Sequence, residues 1–234
     1  MGYAYSRKYN YIINWCAKSG CTMFRRMFLE LHKDELDTEP KNLWHLIELD
    51  FCLDKNKEKN EIPNIYLVRN PYKRVVSMFT NKYCGGNGHS QLPKKFFLSK
   101  VTFRMFVLKL NELKKENKLN KTDYHISEQS HNYKSNENNY LIKLEEFDEK
   151  IIKVYKELNL DELIPKIETF LINKGFINER KINKDEENVY DKEFSVEQKI
   201  FPDYKYFYNQ ELLDLVYEIY KDDFLNFGYE KGEI

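Results

Sequence analysis

An apolar run that passes directly into a tight turn and then a helix is the feature that most constrains this chain. Residues 11–15 are mostly apolar or aromatic, as in a buried strand. Lys18, Ser19 and Gly20 break the run, and apolar residues then recur at every fourth position, as on one face of a helix. Thr22 is the predicted helix cap. A strand, a turn and a helix in this order direct several backbone N–H groups at one point, where a phosphate is stabilised.

The turn differs from the phosphate-binding loop of P-loop ATPases and kinases. That loop ends in Gly-Lys followed by Ser or Thr, whereas here Lys18 precedes Gly20. Gly20 allows the backbone to approach a ligand closely, and Lys18 supplies a mobile positive charge. Taken alone, the stretch is also compatible with an ordinary strand, turn and helix that carries a solvated lysine.

A second apolar strand also ends in basic and polar residues. Residues 65–68 form a short apolar run of the kind that is buried in a parallel sheet. Asn70 and Pro71 predict that a helix begins directly after it. Arg69 lies at the carboxyl end of the strand, where open parallel sheets bind ligands, and Ser77 lies on the helix. The two strand ends therefore predict one anion-binding crevice, although a surface ion pair for Arg69 and an exposed hydroxyl for Ser77 stay open.

The remaining segments favour an alternation of strands and helices. Residues 1–10 are polar and run straight into the first strand. Amphipathic patterns predict helices over 101–119, 151–158 and 163–170. Arg74 lies one turn before Ser77, so these two side chains are predicted to share a helix face.

Composition narrows the class of protein. With 234 residues, 41% of them hydrophobic, the chain is long enough for one packed domain, which we predict over residues 1–234. The net charge of zero does not favour a nucleic-acid partner. The four cysteines show neither CxxC nor zinc-site spacing, which favours a reducing compartment. Because no signal peptide or membrane-spanning segment is recognised, we expect a cytoplasmic or other intracellular soluble protein, with a trimmed membrane-anchored form as the alternative.

Both motifs resemble those of sulfotransferases that use 3′-phosphoadenosine 5′-phosphosulfate (PAPS). Residues 17–22 (Ala-Lys-Ser-Gly-Cys-Thr) are similar to the family's 5′-phosphosulfate loop, roughly Pro-Lys-x-Gly-Thr-Thr. Residues 68–79 resemble its 3′-phosphate motif, roughly Val-Arg-Asp-Pro-x-x-Arg-x-x-Ser-x-Tyr/Phe, with Asn70 in place of Asp. Three later segments resemble the carbohydrate (Golgi-type, family 2) branch: 123–129, 140–147 and 217–229.

The resemblance implies an α/β fold and an enzyme. The fold is a three-layer sandwich around a central parallel sheet of about five strands, related to that of the P-loop NTPases. The implied reaction moves a sulfuryl group from PAPS to an acceptor hydroxyl, which we expect on a carbohydrate, and releases adenosine 3′,5′-bisphosphate without a metal. The alternatives are a P-loop-type nucleotide or small-molecule kinase and a nucleotide-binding relative without turnover.

The resemblance also assigns the nucleotide-binding residues. It implies that the 5′-phosphate is bound by the first motif, and that Arg69 and Ser77 hold the 3′-phosphate. The residues of the first motif that take part are Lys18, Ser19, Gly20, Cys21 and Thr22. In related enzymes a late basic loop closes over the nucleotide, a role for which this chain offers Lys181, Asn183 and Lys184, although a solvated loop is an equal alternative.

The acceptor must lose a proton, so a general base is expected within hydrogen-bond reach of it. His45 is the first candidate because it lies between the two phosphate motifs and has a suitable pKa. Glu48 is a competing candidate on the same segment, as is Asp50. His32 is predicted to be solvated beside charged residues. Two further histidines remain to be tested: His89 and His125.

Overall fold

The computed structural model describes residues 2–35, 61–83, 101–131, 133–173, 181–183, 187–194 and 200–234. Its strands are β1 Gly2–Ser6, β2 Tyr11–Trp15, β3 Asn64–Val68, β4 Asn139–Lys143, β5 Lys181–Asn183 and β6 Ile200–Pro202. Its helices are α1 Cys21–Leu31, α2 Pro71–Met78, α3 Phe103–Lys115, α4 Leu119–Thr122, α5 Phe147–Glu157, α6 Ile164–Asn173, α7 Gln210–Ile219 and α8 Lys221–Phe227.

Contacts between residues divide the chain into two compact units. The first comprises Met1–Arg69 and Lys134–Ile177, and the second comprises Asn70–Tyr133 and Asn178–Ile234. The single domain predicted over residues 1–234 stays a prediction.

The first unit is built on a mixed sheet with the strand order β1-β2-β3-β4. Strands β2, β3 and β4 are parallel, so that Ile65 pairs with Ile13 on one side and with Tyr140 on the other. Strand β1 runs antiparallel to β2. The predicted α/β fold around a central parallel sheet is confirmed, and two details differ from the predicted sheet of about five strands. In the part of the chain that the structure describes, the central sheet has four strands and the first is antiparallel.

Strand β1 lies in the stretch that the sequence analysis treated as a polar lead-in. Tyr5 is fully buried in a small cluster with Ile12, and its hydroxyl donates to Asn10 Oδ1 at 2.9 Å. Gly2 pairs with Trp15, and a Cβ atom at Gly2 would lie 2.6 Å from Trp15 Nε1. The strand was missed because its apolar positions are tyrosines and an alanine among small residues, which is a weak strand pattern. Its pairing with β2 is what identifies it as a strand.

One face of the sheet carries the main apolar core of the first unit. Odd-numbered residues of β2 and β3 point to this face, as the two-residue period of a strand requires. They pack against α1, α5 and α6 through buried side chains that include Phe24, Met27, Phe28, Ile151 and Ile167. Each such side chain contributes about 1.5–3 kcal/mol when it is fully buried.

A chain of buried hydroxyl and imidazole groups crosses this core. The Tyr155 hydroxyl donates to Tyr11 Oη at 2.8 Å, and Tyr11 Oη lies 2.7 Å from His32 Nε2. Burial raises the pKa of Tyr155, which keeps its hydroxyl protonated as the donor. His32 is fully buried at the end of α1, so the prediction that it is solvated was wrong.

The second unit is mainly helical. Asn70 Oδ1 accepts hydrogen bonds from the N–H groups of Tyr72 and Lys73, and Pro71 is the first residue of α2, which confirms the predicted helix start. The helix predicted over 101–119 is α3, which begins after its cap Thr102 and ends at Lys115, and the short helix α4 begins at Leu119. An aromatic core with many edge-on ring contacts joins α2, α3 and α7.

Candidate active site

The turn after β2 has an unusual backbone. Lys18 and Gly20 both have left-handed conformations, with φ of 68° and 77°. Glycine adopts this conformation freely, whereas a residue with a Cβ atom is strained in it. Ser19 is fully buried between them, and its N–H donates to the Cys16 carbonyl at 3.3 Å. The turn is therefore held in a defined shape.

Helix α1 begins directly after this turn. Gly20 is its N-cap residue and makes no side-chain capping hydrogen bond, so the prediction of Thr22 as the cap was wrong. The helix begins at Cys21, directly after the left-handed Gly20, so Thr22 already lies within the first helical turn. The N–H groups of this first turn of α1 have no acceptor within the helix, as at every helix N-terminus. They point out of the N-terminal end of the helix.

The space beside Gly20 is limited as well. A Cβ atom at this position would lie 2.7 Å from Leu144 Cδ1 and 3.4 Å from Leu67 Cδ2. Since real Cβ atoms do not approach other atoms as closely as 2.7 Å, the end of the Leu144 side chain would have to move to make room for a larger residue. Both the conformation and the available space therefore favour glycine here.

The structure brings Arg69 together with the Lys18 turn. Arg69 follows β3, and its Nη1 donates to the backbone carbonyl of Lys18 at 3.0 Å. Both residues are partly exposed. The carboxyl ends of two adjacent parallel strands thus bring the Arg69 guanidinium to the backbone of a second cationic residue, Lys18, which is a suitable arrangement for binding an anion.

A further arginine, which the sequence analysis missed, supports the same turn. Arg25 Nε donates to the Cys21 carbonyl at 3.1 Å, and its guanidinium lies 5.6 Å from the centre of the Trp15 ring. The residue is buried. The contact between Arg25 and Cys21 could have been predicted from their spacing of four residues, because residues at this spacing meet on a helix.

Ser77 and Arg74 lie on α2 in the second unit and differ in their surroundings. Ser77 is partly exposed, whereas Arg74 is fully buried. Arg74 Nη2 donates to the carbonyls of His125 at 3.2 Å and Ser127 at 2.6 Å, and its Nη1 lies 3.8 Å from Asp223 Oδ2. Arg74 therefore has a structural role in this unit.

A comparison with known protein families identifies the chain. A sequence profile of the sulfotransferase family matches residues 1–230. The chain belongs to the sulfotransferase family. The profile is that of family 2, which confirms the resemblance drawn from the motifs and establishes this sulfotransferase as an enzyme. Searches of curated proteins and of solved structures gave no match.

The sulfotransferase departs from the family motif at Asn70, and the structure explains how the change is accommodated. Asn70 Oδ1 caps α2, as an Asp carboxylate also does. Its Nδ2 donates to the Glu233 carbonyl at 2.8 Å, a hydrogen bond that a carboxylate has no proton to make. The substitution thus adds an attachment for the C-terminal segment to the start of α2.

Two of the later motifs of the sulfotransferase meet at Asp223. Its carboxylate accepts hydrogen bonds from the N–H groups of Gln129 at 3.0 Å and Ser130 at 2.7 Å, and from Ser130 Oγ at 2.7 Å. Burial raises the pKa of Asp223, and the Arg74 guanidinium and these donors oppose the rise by stabilising the charged form. The segments resembling the family at 123–129 and 217–229 therefore hold α2 in place.

Several predicted site residues of the sulfotransferase lie outside the described residues, and their roles stay predictions: His45, Glu48, Asp50, His89 and Lys184. Lys181 and Asn183 lie in β5, which pairs with β6, so this part of the predicted loop is a strand. His125 is buried, and its Nδ1 lies 2.8 Å from Asp123 Oδ1. Within the described ranges, no helix has the length and apolar character needed to cross a membrane. The same ranges contain no group of three or more His, Cys, Asp or Glu side chains placed to hold a metal ion.

Proposed function

We propose that this sulfotransferase transfers the sulfuryl group of PAPS to a hydroxyl group on a carbohydrate. The observation that carries the proposal is the meeting of Lys18 and Arg69 at the N-terminus of α1, joined by a hydrogen bond of 3.0 Å. Two cationic side chains and the N–H groups of a first helical turn fit a ligand that carries more than one phosphate group.

The residues of the turn have distinct roles in this proposal. Lys18, the N–H groups of Gly20, Cys21 and Thr22, and the Thr22 hydroxyl bind the 5′-phosphate of the donor. Arg69 and Ser77 bind its 3′-phosphate by charge-assisted hydrogen bonds. Because the backbone of the turn and the Arg69 guanidinium are held by hydrogen bonds before the ligand arrives, little reorganisation of these groups is needed when charge develops.

The transfer replaces one S–O bond by another. The bond from sulfur to the 5′-phosphate breaks, and its electron pair goes to the phosphate oxygen, where the Lys18 ammonium and the helix N–H groups stabilise the negative charge. A new bond forms between sulfur and the acceptor oxygen. The acceptor proton passes to a general base, for which His45 is the first candidate and Glu48 the second.

The choice of acceptor and the rejection of other functions rest on the motifs. The segments at 123–129, 140–147 and 217–229 are those that resemble the carbohydrate branch. A P-loop kinase is disfavoured because Lys18 precedes Gly20 instead of following it. A relative without turnover is disfavoured by the presence of Lys18.

Calorimetric titration tests the donor. Adenosine 3′,5′-bisphosphate is expected to bind roughly ten- to a hundredfold more tightly than adenosine 5′-monophosphate, because lost hydrogen bonds to a charged phosphate cost ~1.5–3 kcal/mol. ATP, titrated beside them, is expected to bind less tightly than the bisphosphate. Equal affinities for the two adenosine phosphates would refute the proposed donor, and tighter binding of ATP would favour the kinase.

Replacing Lys18 by Ala tests the catalytic assignment. Since charge builds on the 5′-phosphate oxygen as the S–O bond breaks, the variant should lose more in kcat than in donor affinity. Lys150→Ala, a change of an exposed lysine on α5, is the matched control and should behave as wild type. A Lys18→Ala enzyme with normal kcat and only a raised donor KM would make Lys18 a binding group alone.

A further inference from the structure

One peptide group of the turn is held at both ends. The carbonyl of Lys18 accepts a hydrogen bond from Arg69 Nη1, and the N–H of Ser19 in the same peptide group donates to the Cys16 carbonyl. These two bonds, 3.0 Å and 3.3 Å long, fix the plane of the peptide between a left-handed Lys18 and the buried Ser19. A rotation of this plane would turn a carbonyl oxygen toward the place where an anion binds.

We propose that Arg69 is a positioning residue for the Lys18 turn, in addition to its role toward the 3′-phosphate. It holds the Lys18 carbonyl away from the donor's 5′-phosphate and thereby keeps the Lys18 side chain and the α1 N–H groups directed at that phosphate. The proposal rests on the proposed function, because it concerns the same nucleotide. It couples the two phosphate sites through one hydrogen bond.

An arginine suits this double task better than a lysine. A guanidinium carries five N–H donors in a planar fork, more than one carbonyl bond uses, and the fork matches the geometry of a phosphate. An ammonium group is a single point charge on a flexible stem. The backbone carbonyl that Arg69 binds belongs to Lys18, whose side chain is assigned to the chemistry. A displacement of this carbonyl therefore also displaces the Lys18 ammonium group from the reacting atoms.

The proposal separates Arg69 from Ser77, the other predicted ligand of the 3′-phosphate. A residue that only binds the 3′-phosphate affects the binding of PAPS and leaves kcat at saturating PAPS unchanged. A residue that also positions Lys18 affects kcat, and it affects ligands that lack a 3′-phosphate. Ser77→Ala is therefore the control for loss of 3′-phosphate binding alone.

The test compares wild type, Arg69→Lys, Arg69→Met, Ser77→Ala and Lys150→Ala. We expect kcat at saturating PAPS to fall on the order of tenfold in Arg69→Met and less in Arg69→Lys. Ser77→Ala should chiefly raise the KM for PAPS, and Lys150→Ala, a change of an exposed residue outside the site, should keep kcat within about twofold of wild type. Binding of adenosine 5′-monophosphate should weaken in both Arg69 variants and stay normal in Ser77→Ala. If Arg69→Met does not fold, Arg69→Lys decides.

Hydrogen exchange of the Ser19 amide, measured without nucleotide, gives a readout that is independent of the donor. We expect faster exchange in Arg69→Met than in wild type, and no change in Ser77→Ala. Arg69 variants with a raised PAPS KM, normal kcat and normal Ser19 exchange would overturn the positioning role while the proposed function stands. If wild type shows no preference for the bisphosphate and no turnover, the proposed function fails, and the exchange measurement still decides whether Arg69 holds the turn.

Discussion

The buried pair of Arg74 and Asp223 allows a quantitative prediction for Arg74→Met. At an effective dielectric constant of about 20, charges 3.8 Å apart attract each other by about 4 kcal/mol, which the desolvation of both groups partly offsets. Met keeps much of the side-chain volume but removes the charge and the hydrogen bonds to the carbonyls of His125 and Ser127. Since Asp223 is left as a buried charge without this partner, the free energy of unfolding should fall by about 3–5 kcal/mol.

The loss of stability in Arg74→Met should depend on pH, and the pKa of Asp223 determines whether it grows or shrinks as pH rises. Burial already raises the pKa of Asp223, and the removal of Arg74 takes away the cation that opposes the rise. Between the unfolded pKa near 3.9 and the raised folded pKa, the folded state then binds more protons, so stability falls as pH increases. Arg74→Met should therefore be less destabilising at about pH 5 than at about pH 8.

Urea unfolding followed by circular dichroism at these two pH values measures the effect. Arg104→Met is the matched control, because Arg104 is partly exposed and pairs at the surface with Asp191 and Glu211. It should cost no more than about 1 kcal/mol at either pH. The double variant Arg74→Met with Asp223→Asn should lose the dependence on pH. A loss for Arg74→Met below about 1 kcal/mol, or one that is larger at the lower pH, would refute the reasoning.

Three further predictions concern the turn, the buried hydroxyl chain and the base. Gly20→Ala should destabilise the protein by about 1–2 kcal/mol, mainly through left-handed strain, as measured by thermal unfolding, and should weaken bisphosphate binding. Tyr11→Phe removes two buried hydrogen bonds and should cost about 1–3 kcal/mol, more than Tyr155→Phe, in the same unfolding assay. His45→Ala should reduce kcat/KM by on the order of 10²–10⁴ and remove an acidic limb near the ordinary histidine pKa of about 6.5. Normal turnover in that variant beside an inactive Glu48→Ala would transfer the role of base to Glu48.

The parts of the fold that local sequence determines were predictable. The strand at 65–68 and the helix start at Asn70 and Pro71 depend on neighbouring residues, and the structure places them as predicted. The burial of His32 was not predictable, because its hydrogen-bond partner Tyr11 is 21 residues away and the next member, Tyr155, is 144 residues from Tyr11. Contacts at such separations leave no periodic pattern in the sequence.

The candidate site also has one feature that was predictable from the sequence and one that was not. The approach of Arg69 to the Lys18 turn followed from the rule that parallel strands end at one edge of a sheet. The burial of Arg74 did not follow, because its partners at His125, Ser127 and Asp223 come from distant segments. A polar residue that has such partners is indistinguishable in sequence from one on a solvated helix face.

The left-handed conformation of Lys18 sets stability and activity against each other. A residue with a Cβ atom loses about 1–2 kcal/mol in this conformation, whereas glycine does not. Lys18→Gly should thus raise the melting temperature while it removes the ammonium group proposed to stabilise the leaving group. A variant library selected for folding alone would accumulate glycine at position 18 and drift toward well-folded, inactive proteins, so directed evolution of this enzyme needs selection on turnover from the first round.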